Sequence, residues 1–331
     1  MNVLLIGAAG MLGRKLTAKL IRSGAVGNRP ITALTLADIV APEAPRAAFD
    51  IRAVVADMSQ PDVARQLIAP RPDLIFHLAA VVSGEAEADF EKGYRVNLDG
   101  TRALFEAIRT AGSGYHPRVV FTSSVTVFGA TLPDVIGDTH HVTPQTSYGT
   151  QKAMSELMLA DYSRRGFLDG IGIRLPTICI RPGKPNKAAS GFFSSILREP
   201  LIGQEAILPV SDSVRHWFAS PRAAVEFMVH AATLDSSRLG FVRTLTMPGF
   251  SATVAEEIEA LKRVAGARAA ALVKRVPDPA IAAIISSWPR SFDARRAHEL
   301  GFRAESTFDE IIRVHLEDEL DGAQPWRQQE P

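Results

Sequence analysis

A doubly wound parallel α/β sheet with a smaller C-terminal substrate-binding lobe is the fold class that three observations predict. Short aliphatic or β-branched runs alternate with longer amphipathic stretches. The runs are apolar almost throughout, as strands covered on both faces are. A glycine-rich turn stands at the first junction between a run and a helix.

The elements follow in order. Strands are read at 3–6, 31–37, 53–56, 74–78, 118–122 and 170–174. Helices are read at 11–22, 60–69, 94–111 and 151–165. After Pro176 prolines, glycines and basic residues interrupt the pattern, and helices return at 221–234, 254–265 and 307–318. We therefore expect a dinucleotide domain over 1–175, with returning segments from about 213–248. The substrate lobe takes 176–212 and 249–320, and 321–331 is a polar tail.

Composition narrows the function. The 331 residues are enough for one large domain or two sharing a core. Thirty-seven basic and 36 acidic residues give a net charge of +1, so no broad basic field draws nucleic acid. No run of about 18 apolar residues occurs, so no membrane span is expected. The short apolar N-terminus lacks a basic region and meets Gly7 at once, which reads as a strand and not a signal peptide. Cys179 is the only cysteine and sits between two isoleucines. It reads as a buried inert thiol in a reducing, cytoplasmic setting.

The turn is Gly7-Ala8-Ala9-Gly10-Met11-Leu12-Gly13. Glycine there permits torsions closed to other residues. It also lets the main chain approach a pyrophosphate lying at the helix N-terminus. Asp38 ends the next strand, 25 residues past Gly13. A carboxylate there accepts from an adenosine ribose diol and repels a 2′-phosphate, which favours NAD over NADP. Asp57 closes the third strand, facing the adenine amino group or capping a turn. His77-Leu78-Ala79-Ala80 closes the fourth strand, and small side chains there let the backbone lie beside a cofactor.

Tyr148 and Lys152 are four residues apart, one helical turn. A tyrosine is a poor base near neutral pH. An adjacent ammonium and a positive nicotinamide ring favour its phenolate. The phenolate then takes a proton from a substrate hydroxyl as hydride leaves for the cofactor. Ser124 lies 24 residues upstream, at the ligand-facing end of the fifth strand, and positions the substrate oxygen. Asn97 is expected to support the site by backbone or water contacts. His140-His141 lacks a third ligand at metal-binding spacing, so no metal is expected. No GxSxG elbow supports a serine-hydrolase reading.

These motifs together resemble the extended short-chain dehydrogenase/reductase family, in its NAD-dependent epimerase/dehydratase branch. They are GAAGMLG at 7–13, Asp38, Asp57, HLAA at 77–80, VNLDGT at 96–101, TSSVTVFG at 122–129 and YGTQK at 148–152. The resemblance implies a Rossmann domain, catalytic roles for Ser124, Tyr148 and Lys152, and cofactor contacts from Lys152, Pro176 and Ile178. It also implies a homodimer built on two long helices, 94–111 and 151–165. Two departures stand out. Phe128 replaces a frequent tyrosine, and His216 follows Arg215 where nucleotide-sugar members carry an acidic residue.

Segments 181–195 and 213–224 resemble family members that oxidise the four-carbon sugar acid D-erythronate at C2. Such a substrate needs a cation for its carboxylate and donors for its hydroxyls. Arg181, Lys184 and Arg215 are candidates for the first role, and Ser83 and Ser190 for the second. The runner-up is a nucleotide-sugar 4-epimerase using the same trio with tightly held NAD. A non-catalytic NAD sensor is a third reading, against which the intact Tyr148–Lys152 pair counts.

Overall fold

The computed structural model describes residues 1–129, 131–183 and 190–324. Seven strands form the central sheet: β1 (Asn2–Ile6), β2 (Ala33–Asp38), β3 (Asp50–Val55), β4 (Leu74–His77), β5 (Arg118–Ser124), β6 (Asp169–Leu175) and β7 (Thr244–Thr246). Their order is β7-β6-β5-β4-β1-β2-β3, and every pairing is parallel. Strand order reverses between β1 and β4, which opens a crevice at the carboxyl ends of both.

Both sheet faces are covered, which explains the unbroken apolar runs. On one face, Leu5, Phe76 and Val120 pack against the helices Met11–Ser23 and Pro221–Thr233 through Leu16, Leu20 and Phe227. On the other, Ile75 and Phe121 meet the helices Val63–Ile68, Gly100–Thr110 and Ser147–Arg164 through Leu67, Phe105 and Leu159. Phe76, Phe105 and Phe121 are fully buried, each contributing roughly 2–3 kcal/mol by transfer from water.

Beyond β6 the chain builds a second core. Strand Arg215–Ala219 lies between Thr177–Ile178 and Phe250–Thr253. Helices Gly191–Leu201, Val254–Ala270 and Phe308–Glu319 enclose Phe193, Phe218, Leu261 and Ile311. A two-strand pairing of Ile136–Gly137 with Phe292–Asp293 ties the loop between Ser124 and Tyr148 to this region.

Several boundaries differ from the expectations. The helix read at 60–69 begins at Val63, because Pro61 and the left-handed Asp62 (φ 67°) precede it. The helix read at 94–111 opens with a π-helical turn, Tyr94–Asp99. Strand β7 and the helix Gly191–Leu201 were not read at all. The helix carries Pro200 in its last turn and ends one residue later, since proline brings no N–H to the helical ladder.

Candidate active site

The candidate dinucleotide cradle lies where β1 meets the helix Met11–Ser23. Gly7 takes φ 95°, and a Cβ there would lie 2.6 Å from the Ala79 nitrogen. A Cβ on Gly13 would lie 2.1 Å from the Gly7 carbonyl oxygen. Both positions are therefore closed to other residues. Gly10 caps the helix without a side chain, so no side-chain oxygen occupies its N-terminus and Met11 and Leu12 open it towards a ligand. Asp38 accepts from the Ala9 nitrogen at 2.9 Å, which holds its carboxylate beside the turn.

A cavity of about 470 Å³ extends from this turn between β1, β2 and β4. Gly7, Gly10, Asp38, Asp57, Leu78, Ala79 and Ala80 all line it. Asp57 accepts from the Ser59 nitrogen at 2.9 Å in a tight turn. Burial works to raise its pKa, but hydrogen bonds from Ser59 and Gln60 and the charge of Arg95 bring it below the usual value. The uncapped helix end, the glycine cradle and the two strand-end carboxylates fit a dinucleotide.

The catalytic candidates converge from β5 and the helix Ser147–Arg164. Lys152 is buried and donates to the Thr122 carbonyl oxygen at 2.8 Å. Its ammonium stands 5.7 Å from the Tyr148 ring centroid and 4.7 Å from that of Phe121. Gly149 explains how the helix comes so close: a Cβ there would sit 2.2 Å from the Thr126 oxygen. Thr126 in turn orders Ser124. Its backbone N–H and its hydroxyl both donate to Ser124 Oγ, at 3.2 and 2.9 Å. With both lone-pair sides engaged, the Ser124 hydroxyl keeps its proton for a further acceptor.

Burial shifts the pair in opposite directions. It pushes the Tyr148 phenol up to about 12. It pulls Lys152 down to about 7, against a smaller opposing pull from Glu156. Glu156 is itself buried, paired with Arg174 at 2.7 Å and accepting from the Ser123 hydroxyl. Arg174 also lies over the Phe128 ring, 4.9 Å from its centroid. Phe128 is thus a buried packing ring in a site where a phenol would have to find a partner.

The remaining candidates are placed as follows. Asn97 is buried, holds both backbone groups of Val81 (2.8 and 3.0 Å) and donates to Gln151 at 2.7 Å. Its side chain pins the cavity-lining loop to the helix Ser147–Arg164 and is not among the residues that line the cavity. Pro176 and Ile178 are buried just past β6. Ser83 opens the short helix Ser83–Ala88 after that same loop. Arg181 donates to the Ile178 oxygen at 3.1 Å and to Ser190 at 2.5 Å, so these two candidates meet each other. Arg215 pairs with Glu256 at 3.2 Å and donates to the Ser251 oxygen. Lys184 lies outside the described residues.

His216 turns inward, bridging Thr177 at 2.6 Å and the Pro289 oxygen at 2.8 Å, and burial lowers its pKa to about 4. Cys179 is fully buried and donates to the Phe193 oxygen at 3.4 Å, with burial raising its thiol well above the ordinary value. Among the described residues no three His, Cys, Asp or Glu side chains are grouped to hold a metal. No helix among them is long and apolar enough to cross a membrane. Sequence reasoning missed Thr126, Gly149 and the Glu156–Arg174 pair. Glu156 stands one turn beyond Lys152, a spacing that could have flagged it.

Comparison with known proteins bears on this geometry. The D-erythronate dehydrogenase of Cupriavidus necator is 49% identical over 322 residues, covering 96% of this chain and 98% of that protein. The D-erythronate dehydrogenase of Haemophilus influenzae is 44% identical over 317 residues, covering 96% and 99%. The crystal structure of the nucleoside-diphosphate-sugar epimerase from Agrobacterium tumefaciens is 61% identical, with a TM-score of 0.96 over 98% of this chain and 96% of that one. The NAD dependent epimerase/dehydratase family model matches residues 3–237. On these matches the chain belongs to the NAD dependent epimerase/dehydratase family.

Proposed function

We propose that this protein is an NAD-dependent dehydrogenase that oxidises D-erythronate at C2 to 2-oxo-tetronate. The observation that carries the chemistry is the buried Lys152 ammonium beside Tyr148, below a Ser124 whose hydroxyl proton is free to donate. The relatives named D-erythronate dehydrogenase, similar over nearly the whole chain, support the substrate. Asp38 supports NAD over NADP, since its carboxylate repels a 2′-phosphate.

Ser124 donates to the C2 oxygen and holds it at Tyr148. Tyr148, as phenolate, takes the hydroxyl proton. Lys152 stabilises that phenolate by its charge. Bound NAD supplies the acceptor for the C2 hydride. Arg181 or Arg215 would hold the substrate carboxylate, Arg215 exchanging Glu256 for it, with Ser83 and Ser190 serving the hydroxyls. In this reading residues 1–175 bind the cofactor, with a returning segment from 213–248. Residues 176–212 and 249–320 bind substrate. A cytoplasmic homodimer completes it, supported by the lone buried Cys179 and by the helix pair discussed below.

The second reading, nucleotide-sugar epimerisation, is favoured by the Agrobacterium tumefaciens structure. The Arg215–His216 segment counts against it. His216 is buried with a pKa of about 4, hence uncharged near pH 7, which leaves Arg215 as the one cation of this pair of residues. The segment therefore presents little positive charge for a diphosphate. Mixing the purified protein with NAD and D-erythronate and following NADH absorbance separates the two. Stoichiometric NADH is expected. No NADH with any sugar acid, together with interconversion of UDP-sugars, would overturn the dehydrogenase.

A further inference from the structure

Among the described residues the dinucleotide cavity is lined by three carboxylates, Asp38, Asp57 and Glu85, and by one cation, Lys92, with the charge of Arg95 also felt at Asp57. A nicotinamide dinucleotide brings two phosphate anions into that acidic space. The helix N-terminus at Gly10 offers only about half a unit charge against them. Asp38 is engaged by the backbone nitrogens of Ala9 and Val40, and Asp57 by that of Ser59. Glu85 instead holds Lys92, at 2.6 Å. The two side chains come from successive short helices, Ser83–Ala88 and Phe90–Gly93, which follow the cavity-lining loop 78–81.

We propose that Lys92 is a pyrophosphate-binding residue, whose ammonium leaves Glu85 for the cofactor's phosphate oxygens when the dinucleotide enters. The inference rests on the dinucleotide reading of the cavity given above. The exchange is cheap. Both side chains are partly exposed, at 40% and 31%, and ion pairs of that exposure contribute little. The pyrophosphate of a dinucleotide carries two negative charges against one on the carboxylate, and its oxygens also accept charge-assisted hydrogen bonds. Lysine suits the move, being a flexible point charge with three rotatable donors. The Glu85–Lys92 pair thus acts as a latch: closed on itself in the free protein, and turned onto the cofactor in the complex.

Calorimetric titration of the full chain with NADH, ADP-ribose and adenosine tests this without any turnover. Wild-type protein should bind all three. Lys92→Met should weaken NADH and ADP-ribose about tenfold and leave adenosine unchanged, because adenosine has no phosphate. Glu85→Gln should tighten ADP-ribose a few-fold, and this gain should vanish in the Glu85→Gln/Lys92→Met double variant. Equal ADP-ribose affinity of Lys92→Met and wild type would overturn the proposal, as would a matching loss for adenosine. If wild-type protein bound NADH not at all, the dinucleotide reading itself would fall, a result distinct from either.

Discussion

Tyr148 and Lys152 are each pushed by burial towards neutrality, the phenol up to about 12 and the amine down to about 7. Phenol with neutral amine and phenolate with ammonium hold the same number of protons. An added positive charge near Tyr148 therefore selects the second arrangement without any exchange with solvent. Tyr148→Phe keeps the ring and deletes the base, so turnover should fall by about 10²–10⁴-fold while NADH affinity stays unchanged. Retained turnover would mean that another base is used. Lys152 also makes a stability prediction. Its folded pKa, about 7, lies below the ordinary 10.5, so across that interval the unfolded chain holds a proton the folded chain has released. Stability from this group therefore rises with pH between those values. Lys152→Met removes the penalty, so its urea midpoint should exceed that of wild type most at pH 7, with the excess shrinking towards pH 10. A pH-independent gap would contradict the shift. The Tyr–Lys spacing was legible in the sequence because one helical turn fixes it. Thr126 was not, since its role depends on two hydrogen bonds to a neighbour.

At the scale of elements, three glycines in one turn were read together, yet the structure separates them. A Cβ at Gly13 would strike the Gly7 carbonyl at 2.1 Å, backbone against backbone, with no flexible neighbour to give way. At Gly10 the nearest atom would be 3.3 Å away and φ is −66°, open to any L-residue. Gly13→Ala should destabilise the protein by about 2–3 kcal/mol and weaken NADH at least tenfold, because the helix must leave the turn. Gly10→Ala should cost under about 1 kcal/mol. Thermal melts and NADH titration of both variants check the contrast, and equal effects would show that the turn relaxes as a unit. The helices packed on the sheet were legible from their periodicity. Gly191–Leu201 was not, because Pro200 and the preceding proline–glycine segment mask a helix whose buried face, Phe193, Ile196 and Leu197, meets the second core. The π-helical turn Tyr94–Asp99 has no composition of its own to announce it. The turn carries Asn97, whose side-chain oxygen accepts from the Val81 nitrogen.

For the whole molecule, the apolar runs announced a sheet with two covered faces, and strand–helix alternation announced parallel pairing. The return of the chain was harder to read. Strand β7 spans only Thr244–Thr246 and joins the sheet edge beside β6, too short to carry a pattern. Two helices packed on this sheet offer a candidate surface for the homodimer that the resemblance implies. Gly100–Thr110 and Ser147–Arg164 lie side by side on one sheet face, and their outer surface carries Leu157, 66% exposed, with Ala103 also exposed. Ion pairs Arg109–Glu106 and Arg164–Asp161 lie on the same two helices, as a polar rim would. Two copies related by a two-fold axis would bring four helices together and bury Leu157 against its counterpart. Sedimentation equilibrium should therefore give twice the 35.8 kDa chain mass. Leu157→Glu places two like charges at that contact and should shift the mass to the monomer. NADH binding should persist in this variant, since Leu157 points away from the sheet that holds the cofactor cavity. A wild-type mass of one chain, or a Leu157→Glu dimer as tight as wild type, would place the subunit contact elsewhere or remove it.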